Sequence, residues 1–177
     1  MCIRDSLSAE VERGLKKARV KVLTASKVTR IDRAGSRPQV HIEGAAGETA
    51  VEVERILVAV GRRANVEALG LAETGVEVTK GGIKVDEFQR SNQPDLYAIG
   101  DVCGGIQLAH VAMHQGVIAA ENALGGHRVM HYNAVPSCVF SWPEVATVGL
   151  TEEAARSQGY DVQVGRFPFR ANGKALA

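Results

Sequence analysis

The chain has 177 residues, 45% hydrophobic and 23% charged, with a net charge of +1 at pH 7. That balance excludes the basic footprint of a nucleic-acid binder and the acidic excess of a disordered tail, and describes a globular protein of one ordinary domain or parts of two. No apolar run approaches the roughly 20 residues that cross a bilayer, no charged segment with an apolar core opens the chain, and three scattered cysteines without a C-x-x-C fit a reducing cytoplasm.

Met1-Cys2-Ile3-Arg4-Asp5-Ser6 shows no periodicity, and 1–6 is read as a non-native scar. Residues 7–18 read as a helix entered through Ser8, with Leu7, Val11 and Leu15 four apart on one face. Val20-Lys21-Val22-Leu23 reads as a strand. Short strands are expected at 28–32, 39–43 and 49–53, parted by polar turns at 34–36 and 44–47. Alternation such as Val40-His41-Ile42 and Val51-Glu52-Val53 gives each a buried and a solvated side. The unbroken apolar run Ile56-Leu57-Val58-Ala59-Val60 has the pattern of a strand covered on both faces. An antiparallel meander before a last parallel strand makes this the closing half of a dinucleotide-binding domain.

Residues 65–80 read as a loop-rich crossover, 81–86 as a turn and short strand, and 97–100 as another strand. Residues 108–124 suit a helix of about four to five turns, stopped by Gly125-Gly126. The character changes near Asn133: Val139-Phe140, Ala146-Thr147-Val148 and Val162-Gln163-Val164 are strand-like, and Thr151 caps a helix running through Gln158. This last region reads as the start of an α+β domain, and both ends of the chain read as cuts in a longer protein.

The residues with the clearest chemistry lie in Asp95-Leu96-Tyr97-Ala98-Ile99-Gly100-Asp101. Gly100 allows another molecule close to the backbone, and the Asp101 carboxylate at a strand end can accept hydrogen bonds from ligand hydroxyls. The competing reading is a turn or helix-capping aspartate. Gln107, Leu108, Ala109 and His110 begin the long helix, where unpaired N–H groups and the positive dipole end favour negative charge. Gly61 ends the buried run, the place where ligands lie in open α/β sheets, although a plain turn glycine has the same look. Arg62 and Arg63 read as solvated or domain-bridging. The spacing of Gly100, Gly104 and Gly105 does not meet G-x-G-x-x-G. Cys103 and Cys138 read as small packed residues. His110 and His114 have the spacing of a zinc pair but lack a third ligand.

Four passages, spread in order over almost the whole chain, resemble the FAD- and NAD(P)-dependent disulfide oxidoreductases. They are Ile56-Leu57-Val58-Ala59-Val60-Gly61-Arg62-Arg63; Leu96 to Asp101 with Leu108-Ala109-His110; Val135-Pro136-Ser137-Cys138-Val139-Phe140-Ser141-Trp142-Pro143-Glu144-Val145-Ala146-Thr147-Val148-Gly149; and Phe167-Pro168-Phe169-Arg170-Ala171-Asn172-Gly173-Lys174-Ala175. Within the family, Trp142-Pro143-Glu144-Val145-Ala146 departs from the Pro-Pro-Ile-Gly of glutathione reductases. The passage from Phe167 to Ala175 favours the dihydrolipoamide dehydrogenase group.

The resemblance implies an α/β fold of Rossmann-like three-layer FAD- and NAD(P)-binding domains, followed by the start of an α+β dimerisation domain. In that division 7–64 is the C-terminal part of the NAD-binding domain, 65–132 the returning FAD segment and 133–177 the truncated interface domain. Asp101 is expected to bind the ribityl portion of FAD. Gln107, Leu108, Ala109 and His110 are expected to line the flavin edge, and Gly61 to contact NAD. The implied activity is oxidation of dihydrolipoyl groups on an acyltransferase partner by NAD+ through FAD, in a cytoplasmic homodimer with no role for nucleic acid, membrane or metal. The redox cysteine pair and the His–Glu acid–base pair are expected outside this chain, as is the residue that separates NAD from NADP. Other readings are a mercuric reductase, an NADH oxidase or peroxidase, and a non-catalytic dinucleotide-binding module.

Overall fold

Leu7, Val11, Gly14 and Leu15 share a half-buried stripe, as a 3.6-residue period requires. In the computed structural model, which describes residues 5–176 (side chains at 7–175), they lie on helix α1, Asp5–Lys17. Residues 1–4 of the expected scar lie outside the described residues. The helix starts ahead of Ser8, so Ser8 is not its cap. Glu10 with Arg13 and Glu12 with Lys16 form exposed ion pairs at helical spacing. Such pairs add little stability, although Lys16 holds the Glu12 carboxyl below its ordinary pKa through a hydrogen bond and its charge.

Three short strands follow, β1 (Lys27–Asp32), β2 (Gln39–Gly44) and β3 (Gly47–Glu52). They form an antiparallel meander in the order β1-β2-β3, as the spacing of polar turns predicts. Gly47 at φ 100° closes the second hairpin, a conformation that suits glycine. The alternation was expected to bury one face, yet β3 is exposed along its length and Val28 and Val51 remain open. No element covers this ribbon among the described residues.

Two of the strands expected before residue 65 do not form. Residues 20–23 have no ladder, and Val20, Val22 and Leu23 are exposed. The run 56–60 is unpaired, with Leu57 92% and Val60 93% exposed. A parallel strand draws its hydrogen bonds from neighbours a crossover away in sequence. No such neighbour pairs with it among the described residues. The accessible surface agrees: 13991 Å², against about 8300 Å² for a compact monomer of this length.

Between 65 and 104 a small core gathers under helix α2 (Leu71–Thr74) and a hairpin of β4 (Val78–Thr79) and β5 (Gly82–Ile83). Val76, Ile83 and Ala98 are buried there, with Val66, Leu96 and Val102 packed against them. The sequence placed 78–79 in a crossover loop, and its expected strand at 97–100 reduces to a single bridge between Arg90 and Tyr97. Backbone amides otherwise served by a ladder are met by side chains. Asp86 Oδ1 accepts from the N–H groups of Phe88 and Arg90 at 2.9 and 2.8 Å.

Helix α3, Ala109–Ala123, buries Val111, Gln115, Ile118, Ala119 and Asn122 on one stripe. Ile118 and Val111 meet Met130 in a second core flanked by Leu108 and Val135. The helix ends as the Gly125-Gly126 pair predicts: Gly125 takes φ 94°, and the Gly126 N–H returns to the Glu121 carbonyl at 2.9 Å. Beyond it come β6 (Ser137–Val139) and β7 (Val145–Thr147), an antiparallel pair. Helix α4 (Glu152–Ser157) follows, then helix α5 (Gly173–Leu176). Thr151 Oγ1 accepts from the Ala154 N–H at 3.1 Å, the expected cap of α4. Residues 162–164 form no strand. Cys138, expected to pack, is exposed on β6, on the face of the ribbon opposite the half-buried Ser137 and Val139.

Candidate dinucleotide-binding site

The site is built where the turn at 99–104 crosses the start of α3. Gly100 opens a single 3-10 turn, Gly100–Cys103, at φ 74°. A side chain there would strain the backbone and press within 3.2 Å of Ala112 Cβ. One helical turn on, a Cβ on Gly116 would sit 3.2 Å from Ile99 Cδ1. Small residues on α3 therefore let the turn cross the helix closely, which sets Asp101 beside the helix entrance. The turn is locked from behind as well, because a Cβ on Gly104 would run into the Gly81 carbonyl.

Asp101 is exposed and does not cap a helix: among the described residues its side chain pairs with Arg62 alone, Nη1 to Oδ2 at 3.3 Å. That leaves Oδ1 free to accept hydrogen bonds. Arg62 Nη2 also donates to the Gln107 carbonyl at 2.7 Å. Arg62, expected to be solvated or domain-bridging, is exposed and bridges to Asp101 and Gln107, far from it in sequence. Arg63 instead pairs locally with Glu67 at 2.8 Å.

Leu108 stands at the N-cap of α3 in extended conformation, with no side-chain cap bond and no acidic residue in the first turn. The Leu108 carbonyl accepts from the N–H groups of Val111 and Ala112. Those of Ala109 and His110 have no acceptor among the described residues. This is the positive end of a helix dipole, left open beside a carboxylate with a spare oxygen. His110 turns away, its Nε2 lying 2.9 Å from the Pro136 carbonyl oxygen, which ties the helix start to the passage after Asn133.

Behind the turn runs a part-buried polar relay that sequence reasoning missed, with Gln89 and Gln115 buried and Tyr132 exposed. The Gly100 N–H donates to Gln115 Oε1 at 2.7 Å, and Gln115 Nε2 donates to the Tyr132 hydroxyl at 2.9 Å. Gln89 Nε2 lies 3.5 Å from the same hydroxyl, while Gln89 Oε1 has no partner. Turning the Gln89 amide over would let Tyr132 donate its proton to Oε1, since the two ends of an amide are interchangeable in shape. A glutamine on the apolar stripe of α3 was the available signal for Gln115. Tyr132 gave none.

Cys103 is half-buried, and burial pushes its thiol up to about 11, so it stays protonated at neutral pH. Gly61 takes φ 114° with open space around it, leaving its backbone accessible at the end of the 56–60 run. Hollows on the meander, near Asp32 and Arg37 and near Ser26 and Glu43, share no residue with this site. Among the described residues no helix is long and apolar enough to cross a membrane.

An open helix end beside a turn carboxylate, reached by an arginine from the end of an apolar run, belongs with the dinucleotide-binding α/β folds. The chain is a member of the pyridine nucleotide-disulphide oxidoreductase family. That family's model matches residues 2–116, and its dimerisation-domain model matches 135–177. It is 45% identical over 174 residues to a dihydrolipoyl dehydrogenase of Zymomonas mobilis, covering 97% of this chain and 37% of that protein. A Bacillus subtilis dihydrolipoyl dehydrogenase is 42% identical, covering 96% of this chain and 36% of that protein. The crystal structure of LpdA from Mycobacterium tuberculosis superposes with a TM-score of 0.86 at 27% identity, over 99% of this chain and 38% of that one. The fold class is therefore FAD/NAD-binding α/β followed by a dimerisation domain. The chain spans little more than a third of the length of these relatives.

Proposed function

We propose that this chain is the central part of a dihydrolipoyl dehydrogenase, a flavoprotein that oxidises protein-bound dihydrolipoamide with NAD+ through FAD. The observation that carries the reading is the placing of the Asp101 carboxylate, through Arg62, near the N–H groups of Ala109 and His110 that have no acceptor among the described residues. FAD would supply the two-electron chemistry. The Asp101 Oδ1 lone pairs suit the hydroxyls of its ribityl chain. The main chain from Gln107 through His110 suits the ring edge, where the helix dipole favours negative charge. Gly61, at positive φ with nothing against it, suits close approach by NAD. These groups bind, orient and polarise; no thiol or base in the site performs the chemistry.

In this reading 7–64 closes the NAD-binding domain, 65–132 is the returning FAD segment and 133–177 opens the dimerisation domain. The partners are a second copy of the chain and a lipoyl-bearing acyltransferase, and the scattered cysteines fit a cytoplasmic setting. The exposed Phe140 and Trp142 beside β6 and β7 are what an interface domain offers a partner. The test is to express the complete open reading frame around this segment, assay NAD+-dependent oxidation of dihydrolipoamide and determine bound flavin. Yellow protein with that turnover is expected. Flavin with disulfide reductase activity toward other substrates only would move the assignment to another branch of the family, and protein without flavin would remove it.

A further inference from the structure

Arg62 was expected to be solvated or bridging, and its geometry is more specific than either. It lies directly after Gly61, at the end of the NAD-side run, and its two terminal nitrogens reach different groups of the flavin-side segment. Nη1 pairs with Asp101 Oδ2 at 3.3 Å and Nη2 donates to the Gln107 carbonyl at 2.7 Å. We propose that Arg62 is a positioning residue. It clamps the end of the NAD-side run to the flavin-side turn and helix entrance, and it presents Asp101 Oδ1 rather than Oδ2 to the flavin's hydroxyls. The proposal rests on the flavoprotein reading above.

Three features carry it. The bridge joins segments far apart in sequence that no ladder connects, since neither 56–60 nor 96–100 belongs to a strand of any sheet among the described residues. The acceptors are a carboxylate and a carbonyl at two positions, which a planar fork with several N–H donors can meet together and a lysine ammonium meets only as a point charge. Occupying Oδ2 also fixes the rotation of the Asp101 carboxylate, so the remaining oxygen has one direction to face. An exposed ion pair adds little to folding stability, so the consequence belongs to the ligand geometry and not to the fold.

The experiment uses the complete flavoprotein. If the wild-type protein lacks FAD, the flavoprotein reading fails before Arg62 is tested. With flavin bound, Arg62→Met, Arg62→Lys and Arg63→Ala are compared for FAD dissociation, followed by flavin fluorescence, and for anaerobic bleaching of oxidised flavin at saturating NADH. Arg62→Met is expected to release FAD faster and to bleach on the order of tenfold more slowly, the scale of a misplaced reacting pair. Arg62→Lys should restore retention but not the bleaching rate, and Arg63→Ala should change neither. Wild-type retention and bleaching in Arg62→Met would overturn the proposal. So would a wild-type bleaching rate in Arg62→Lys, which decides the matter if the methionine variant does not fold.

Discussion

Replacing Gln115 by Met tests whether the part-buried relay holds the turn that carries Asp101. Methionine keeps the length and flexibility of the side chain, so the stripe of α3 stays filled while both hydrogen bonds disappear. The larger loss is at Gly100, whose N–H gives up a 2.7 Å bond to Gln115 Oε1 in a part-buried position. An orphaned buried donor costs about 1–3 kcal/mol. The Tyr132 hydroxyl loses a donor at 2.9 Å but keeps Gln89 nearby, so its share is smaller. We expect a net loss of about 2 kcal/mol, which for a chain of this size lowers Tm by roughly 4–8 °C. Tyr132→Phe leaves the Gly100 bond intact and should cost about 1 kcal/mol, with a coupling of at least ~0.5 kcal/mol to Gln115→Met in a double-mutant cycle. The assay is thermal unfolding followed by far-ultraviolet circular dichroism at pH 7. A Gln115→Met variant within about 0.5 kcal/mol of wild type would refute the relay as the support of the turn.

Gly82→Ala directs a methyl group at the Val102 carbonyl and the Cys103 backbone from a residue at φ 122°; a loss of at least ~2 kcal/mol is expected in urea unfolding, and an unchanged midpoint would show that the hairpin can shift. Because burial raises Cys103 from 9.0 to about 11, the folded chain holds that proton more tightly than the unfolded chain. Its stabilising contribution is whole below about pH 9 and is lost as pH rises to about 11. Alkylation at pH 8 followed by peptide mapping should find Cys103 reacting roughly tenfold more slowly than an unperturbed thiol, and equal rates would contradict the burial. Thr151→Ala should speed amide exchange at Ala154 and destabilise α4 by about 1 kcal/mol, whereas unaltered exchange would mean that the cap bond is unimportant. The 177-residue chain by itself is expected to show no lipoamide dehydrogenase activity and poor FAD binding; turnover by the purified chain would overturn this.

Local patterns read well where the structure is local. The three strands of the meander, the stop at Gly125-Gly126 and the cap at Thr151 follow from turn residues and periodicity within a few positions of each element. The run at 56–60 read as a doubly covered strand because its composition records neighbours, and composition cannot supply them. The strand expected at 97–100 failed differently: Tyr97 finds one bridge, and Gln115 serves the Gly100 amide in place of a ladder. In the site, the open entrance of α3 was legible from helix position alone, because main-chain N–H groups depend little on side-chain identity. The Arg62 bridge was legible only as a possibility, since choosing between solvent and Asp101 requires the turn at 99–104 in three dimensions. Tyr132 was illegible, being a polar aromatic in a loop whose partner is fixed by the crossing of α3 and not by any spacing.

The first turn of α3 has an evolutionary consequence. An aspartate or glutamate at 109 or 110 would cap idle N–H groups and strengthen the helix by about 0.3–1 kcal/mol, and nothing in the local backbone forbids it. On the flavoprotein reading it would also bring a fixed negative charge to the place where the ligand's own electron density is to be welcomed. A variant library selected only for heat resistance should therefore accumulate acids at these two positions, and the same library selected for flavin-dependent growth should purge them. On the flavoprotein reading, the bare end of α3 is stability left unclaimed so that a guest can complete the helix.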